Sequence, residues 1–261
     1  MSTSPLQGRV AVITGATAGI GEATARELVG GGCFCVLNAR RERVLRDLAK
    51  ELGEEDVMAV AGDCCQQKTI DSLLDAARDS MGNPGREADI VVVNAGRGLA
   101  GSVTTSDVAQ WEEMVRTNVL GAALLIRAAA NRMLAEMERA GDSLKVARDI
   151  VVLGSTVGRH ISPFSSMYGG TKFAVNSMAE AARRELGPKG IRVTLIEPAF
   201  VESEFQQVAG YKQEWFNDVK ARIGPVLKPE DVARSIAFVL SQPPAVHLSD
   251  VLIRPTRQDY P

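Results

Sequence analysis

Short runs of β-branched and apolar residues recur along this chain, and each is followed by a longer stretch of helical spacing. The runs are RVAVIT, CFCVLNA, DVMAVAG, DIVVVNAG, DIVVLGS, IRVTLIEP and DVLIRP. They are near-continuously apolar, as expected of strands buried on both faces. Between them lie segments such as GEATARELVGGG, RERVLRDLAKEL, KTIDSLLDAARDSMG and PEDVARSIAFVLSQ. Strand and helix in strict alternation require crossover connections. The expected fold is therefore an α/β, doubly wound parallel sheet of about seven strands. A chain of 261 residues can bury a sizeable core, and a single domain spanning 1–261 is expected.

Two segments exceed this plan. One is ERAGDSLKVAR, before the fifth strand. The other covers residues 200–227 and carries Phe205, Tyr211, Trp215 and Phe216. Its place after the end of a strand suits a lid over a ligand, and equally a plain pair of surface helices.

Charge excludes some partners. The formal net charge is −2 with no long run of one sign, so no nucleic acid is expected to bind. The start MSTSPLQGRVAVITG lacks the basic and apolar regions of a secretory leader, and a cytoplasmic location is expected. The most apolar stretch, VLGAALLIRAAANRM, is short and broken by Arg127, so no membrane span is expected. Cys33, Cys35, Cys64 and Cys65 lack CxxC spacing and are expected to be reduced structural thiols. No metal site is expected from them.

The first strand runs into TGATAGIG, which places Thr14, Gly15, Gly19 and Gly21 between a strand and a helix. Gly15 permits the tight turn, Gly19 close approach of a pyrophosphate, and Gly21 contact between helix and strand. The helix N-terminus then offers free N–H groups to phosphate. Dinucleotides that lack a 2′-phosphate are usually held by a carboxylate roughly 20 residues on. Here the second strand ends in Asn38-Ala39-Arg40-Arg41. Arg40 can meet a 2′-phosphate with a charge-assisted fork and Arg41 can add to it, so NADP (NADPH) is expected over NAD. Asp63, after the third strand, can accept from an adenine amino group, cap the next helix, or both.

Later strands also end in polar or breaker residues: Asn94-Ala95-Gly96, Ser155 and Pro198. Ligands of open parallel sheets sit at this edge. Tyr168 and Lys172 follow Ser155 at one-turn helical spacing in YGGTK. Together, TGATAGIG, NAG, Asn118, Ser155 and YGGTK resemble the short-chain dehydrogenase/reductase family over nearly the whole chain, with its Rossmann-like fold. The resemblance implies an NADP(H)-dependent oxidoreductase that interconverts an alcohol and a carbonyl by hydride transfer. It implies Tyr168 as general acid/base, Lys172 and Ser155 assisting, and Asn118 holding a proton-relay water at a helix irregularity. It adds Thr17, Ile20, Val201 and Ser203 to the coenzyme contacts, with Ser203 where the family has Thr. Pro198-Ala199 replaces the frequent Pro-Gly.

The chemistry suits those residue types. Hydride addition leaves charge on oxygen that a phenol can protonate. The ordinary phenol value near 10 should fall beside the ammonium of Lys172. The segments DVLIRPTRQ and NARRER resemble NADP-dependent reductases and 3-hydroxy-acid (serine-type) dehydrogenases. For the substrate, Arg159 and His160 suggest a carboxylate, while Phe164, Met167, Phe200 and Phe205 suggest an apolar aldehyde or ketone. A non-catalytic NADP-binding sensor or regulator is the reading from another class. The resemblance also implies a homodimer or homotetramer, built on VLGAALLIRAAA and the helix from Ser166 to Leu186.

Overall fold

The computed structural model describes residues 4–80, 85–141 and 146–259. Seven strands form one sheet: β1 (Val10–Thr14), β2 (Phe34–Ala39), β3 (Val57–Ala61), β4 (Ile90–Val93), β5 (Arg148–Leu153), β6 (Ile191–Pro198) and β7 (Asp250–Ile253). Their order is β3-β2-β1-β4-β5-β6-β7, and every pairing is parallel. The apolar runs predict this arrangement, because β1, β4, β5 and β6 are buried along their whole length. Alternate residues of each strand face opposite layers. Ala11 and Ile13 join a core with α1 (Gly19–Gly30), α2 (Glu42–Leu52) and α9 (Pro229–Leu240). Val10 and Val12 join the other core, with α3 (Gln67–Arg78), α5 (Ala122–Ala140) and α6 (Ser166–Leu186). The chain reverses its winding between β1 and β4, and there a crevice opens at the carboxyl ends of the strands.

The sequence pattern suggests one long helix before β5. It is interrupted: α4 (Trp111–Val115) passes through a π turn, Arg116–Gly121, into α5. The extra residue per turn shifts Asn118 relative to the helix face. Of ERAGDSLKVAR, residues 142–145 lie outside the described residues. The segment 200–227 holds α7 (Phe205–Val208) and α8 (Gln213–Ile223), closed off by a bridge between Val201 and Leu227. It has its own small core of Phe216, Val219, Ile223 and Val226, packed against Phe200.

At the opposite, amino-terminal edge of the sheet, Asp149 on β5 lies between two arginines. Arg9 Nη2 is 2.6 Å from Asp149 Oδ2, and Arg192 donates from Nε and Nη2 at 2.7 and 2.8 Å. Strand ends distant in sequence are thereby tied together. The four cysteines are free and buried. Among the described residues, no helix is long and apolar enough to cross a membrane.

Candidate active site

A cleft of about 730 Å³ runs along the carboxyl ends of the strands and is lined by the segment 200–227 on one side. That volume is on the scale of ligand pockets. At its phosphate end, Gly15 (φ 68°) and Gly19 (φ 55°) occupy left-handed backbone that side chains disfavour. A Cβ on Gly21 would collide with the Gly15 carbonyl and with Asn94, so this glycine lets α1 sit on the turn. Ala18 gives α1 no side-chain cap, which leaves the first-turn N–H groups for a ligand. Thr17, Gly19 and Ile20 line the cleft beside them, and a Cβ on Gly19 would lie 3.4 Å from Ser203 Cβ across it. An uncapped helix start, bare glycines and two nearby guanidiniums make a set that fits a dinucleotide.

Thr14 does not line the cleft. Its Oγ1 donates to Val92 O and accepts from the N–H groups of Asn94 and Ala95, at 3.2–3.3 Å. Asn94 Nδ2 donates to Thr14 O at 2.8 Å. These bonds lock β1 to β4 beneath the turn, with Asn94, Ala95 and Gly96 in the cleft wall.

Arg40 and Arg41 project from the end of β2 into the cleft. Arg40 Nη1 meets Glu113 at 3.0 Å, and Glu113 also pairs with Arg97. Arg41 donates to Thr17 O at 2.9 Å and pairs with Glu204 at 3.2 Å, bridging the phosphate turn and the segment 200–227. Asp63 also lines the cleft. It does not cap a helix: α3 starts at Gln67 with Gln66 at its cap, and Asp63 Oδ1 instead accepts from Cys65 N at 3.0 Å. Burial opposes its charge, but this bond and Arg116 hold it below the ordinary carboxylate range.

At the chemical end, Ser155 follows β5 and is buried, with Oγ accepting from Val157 N. Tyr168, in the first turn of α6, is buried, and Ser155 beside it favours the charged form. Burial nevertheless pushes the phenol above its ordinary value. The expected fall is not seen, because Lys172 Nζ donates to Leu153 O at 2.7 Å and sits 5.9 Å from the ring centroid. Burial pushes Lys172 down to about 8. Below about 8 the folded chain carries the full cost of a buried ammonium, and this vanishes as pH rises to the ordinary 10.5. A Lys172→Met variant should therefore be more stable than wild type near pH 7, with the gap closing by about pH 10. Urea unfolding at the two pH values checks this, and a gap that does not depend on pH would contradict it.

Asn118 stands in the π turn, as the expected irregularity requires, but does not line the cleft. Its Oδ1 accepts from Arg97 N at 2.8 Å, and Nδ2 donates to Arg97 O and Thr171 Oγ1. Its side chain thus clamps the loop after β4 to α6, one residue from Lys172.

Pro198, Val201 and Ser203 line the opposite wall. Ala199 keeps a negative φ, so the missing glycine imposes no strain. Ser203 Oγ accepts from Phe205 N at 3.3 Å. Phe164, Phe200 and Phe205 face the cleft, and Phe205 lies 5.5 Å from the Tyr168 ring. Met167 packs behind Tyr168 instead. Arg159 is committed to Glu197 and Asp250, and His160 to Arg254, so neither greets a ligand in the cleft. Sequence reasoning missed Gln258 and Arg222 in the cleft lining. Arg222 belongs to no motif, whereas Gln258 is the last residue of DVLIRPTRQ and accepts from Phe200 N.

The sequence profile of the short chain dehydrogenase family matches residues 9–214. The chain belongs to that family of oxidoreductases. An uncharacterised oxidoreductase of Staphylococcus aureus (strain MW2) is 30% identical over 250 residues, covering 96% of this chain and 98% of the relative. A serine dehydrogenase solved in its closed form with NADP+ superposes with TM-score 0.82 at 28% identity, covering 96% of each chain. A 3-ketoacyl-(acyl-carrier-protein) reductase from Brucella melitensis, complexed with NADH, gives TM-score 0.84 at 28% identity over 97% of this chain and 99% of that one.

Proposed function

We propose that this chain is an NADP(H)-dependent oxidoreductase that interconverts an alcohol and a carbonyl, with Tyr168 as the general acid/base. The observation that carries it is one cleft holding Ser155, Tyr168 and Lys172 at one end and an uncapped helix start with Arg40 and Arg41 at the other. The NADP+-bound serine dehydrogenase and the NADH-bound reductase support a nicotinamide coenzyme. A bound nicotinamide supplies or accepts the hydride. In reduction, the phenol of Tyr168 gives its proton to the oxygen that receives charge. Its raised value keeps it protonated and ready for that role. Ser155 holds the same oxygen, and the Lys172 ammonium stabilises the phenolate left behind. Asn118 is a positioning residue that acts through Arg97 and Thr171.

Arg40 and Arg41 support NADP over NAD, with the 2′-phosphate taking over the Arg40 contact now made by Glu113. Arg40→Asp is expected to weaken NADPH roughly ten- to a hundredfold and to make NADH the better coenzyme. An unchanged ratio of kcat/KM values for the two coenzymes would remove Arg40 from this role.

The substrate reading follows from the wall. Arg159 is already paired, whereas Phe164, Phe200, Phe205 and Trp215 face the cleft. This favours an aldehyde or ketone with an apolar or aromatic body over a small 3-hydroxy acid. The segment 200–227 acts as a lid, and a second copy of the chain covers the outward Val115 of α4, Leu120 of the π turn and Phe173 of α6. The test is oxidation of NADPH and NADH against 3-oxo acids, small aldehydes and bulky ketones. Turnover with NADPH and bulky ketones is expected. Tight NADPH binding with no turnover on any carbonyl would instead indicate a regulatory, non-catalytic protein.

A further inference from the structure

Asp63, Cys64 and Cys65 follow β3 and bring one carboxylate and two thiol sulfurs within 4.8 Å of one another. Adjacent Cα atoms are about 3.8 Å apart, short of the roughly 4.4 Å that disulfides normally span, so this pair favours the dithiol state. Two thiolates on one tetrahedral zinc lie about 3.8 Å apart, given bonds of about 2.3 Å. The cluster is therefore close to chelating geometry as it stands.

The π turn builds the seat. Gly121 leaves the space that Cys65 Sγ fills, since a Cβ there would come within 2.9 Å of the sulfur. Cys65 Sγ donates to Arg116 O at 3.4 Å, and Arg116 sits 3.5 Å from Asp63. Asp63 and Cys64 also face the cleft, leaving one side of the cluster open to an incoming ion and a solvent ligand.

We propose that Asp63, Cys64 and Cys65 form a site for a thiophilic divalent metal ion of the zinc and cadmium class, and that a bound ion excludes the coenzyme. The donor set is two sulfurs and one oxygen, with a fourth position left for water, which matches the preferences of that class. The two thiol protons leave to solvent as the ion enters. The net charge of the site stays that of Asp63 alone, and Arg116 still balances it. The exclusion rests on the coenzyme reading above: the ion engages the Asp63 oxygen that the adenine amino group needs and the Cys64 wall beside it.

The experiment titrates Cd2+ into the reduced, coenzyme-free chain and follows the sulfur-to-metal charge-transfer absorbance. One ion per chain is expected, with the band and the affinity strongly reduced in Cys65→Ser, although Cys33, Cys35 and Cys64 remain. NADPH binding is then measured with and without the ion. At a metal concentration a hundredfold above its own Kd, competition raises the apparent coenzyme Kd about a hundredfold. Cys65→Ser, which does not line the cleft, should bind NADPH normally and respond far less to the ion. No band in the wild type, or an equal band in Cys65→Ser, overturns the site. A band with unchanged NADPH affinity overturns the exclusion. Failure of NADPH to bind even without metal would instead overturn the coenzyme reading and leave the metal band standing.

Discussion

Replacing Tyr168 by Phe is expected to lower kcat/KM by about 10²–10⁴-fold, the range set by loss of general acid catalysis. The substitution removes one oxygen and little else. The ring keeps its place against Leu99 and Met114 and its tilted contact with Phe205. α6 keeps its first turn, and the glycines and arginines at the other end of the cleft are untouched. NADPH affinity should therefore stay close to wild type while turnover falls. A fluorescence titration reads the first and steady-state kinetics the second. Ser155 remains held by the backbone N–H of Val157 and by the carbonyl of Pro198. A Lys172 substitution should behave differently, since it removes the charge that steadies the phenolate and disturbs the bond to Leu153. Near-normal turnover in Tyr168→Phe would show that the proton comes from elsewhere, and the proposed mechanism would fall with it.

The parts of this molecule that were legible in the sequence are those encoded locally. Apolar runs buried on both faces need a parallel sheet, and the glycines of TGATAGIG have φ values or close contacts that other residues resist. Tyr168 and Lys172 are brought together by helical spacing alone. What stayed hidden depends on partners far along the chain. The π turn leaves the helical pattern around Asn118 intact, because one inserted residue changes bonding without changing composition, so only the family resemblance pointed to an irregularity there. Arg159 looked free until Glu197 and Asp250, on two other strands, came beside it. Asp63 looked like a helix cap because a carboxylate shortly before a helix often is one; here its oxygen is taken by the turn at Cys65. The phenol of Tyr168 was expected to fall beside an ammonium. The burial that brings the two together works harder in the other direction, a balance no spacing reveals.

The ion cluster around Asp149 leads to the second large expectation. Asp149→Ala should destabilise the fold by about 3–5 kcal/mol, as breaking a buried pair does. Only 1% of the Asp149 side chain is exposed, and it is the carboxylate that joins Arg9 to Arg192. The arginine N–H groups have other acceptors: Arg192 Nη1 reaches the carbonyls of Gln242, Pro243 and Val246, and Arg9 those of Leu240 and Ala147. Those carbonyls satisfy hydrogen bonds but carry no charge, so the variant buries Arg192 without its ion-pair partner and leaves Arg9 only the longer-range attraction of Asp89. For a chain of this size the loss corresponds to a Tm lower by about 6–20 °C. Asp149→Asn keeps the shape and one acceptor and should lose less. A double Asp149→Leu, Arg192→Leu variant should recover part of the loss, because it removes a cation along with the anion. The cluster lies at the amino-terminal ends of the strands, away from the cleft, so the folded variant should keep its kcat/KM. A Tm within a degree or two of wild type would mean that the ring of carbonyls alone sustains both guanidiniums, and that Asp149 contributes alignment instead of charge.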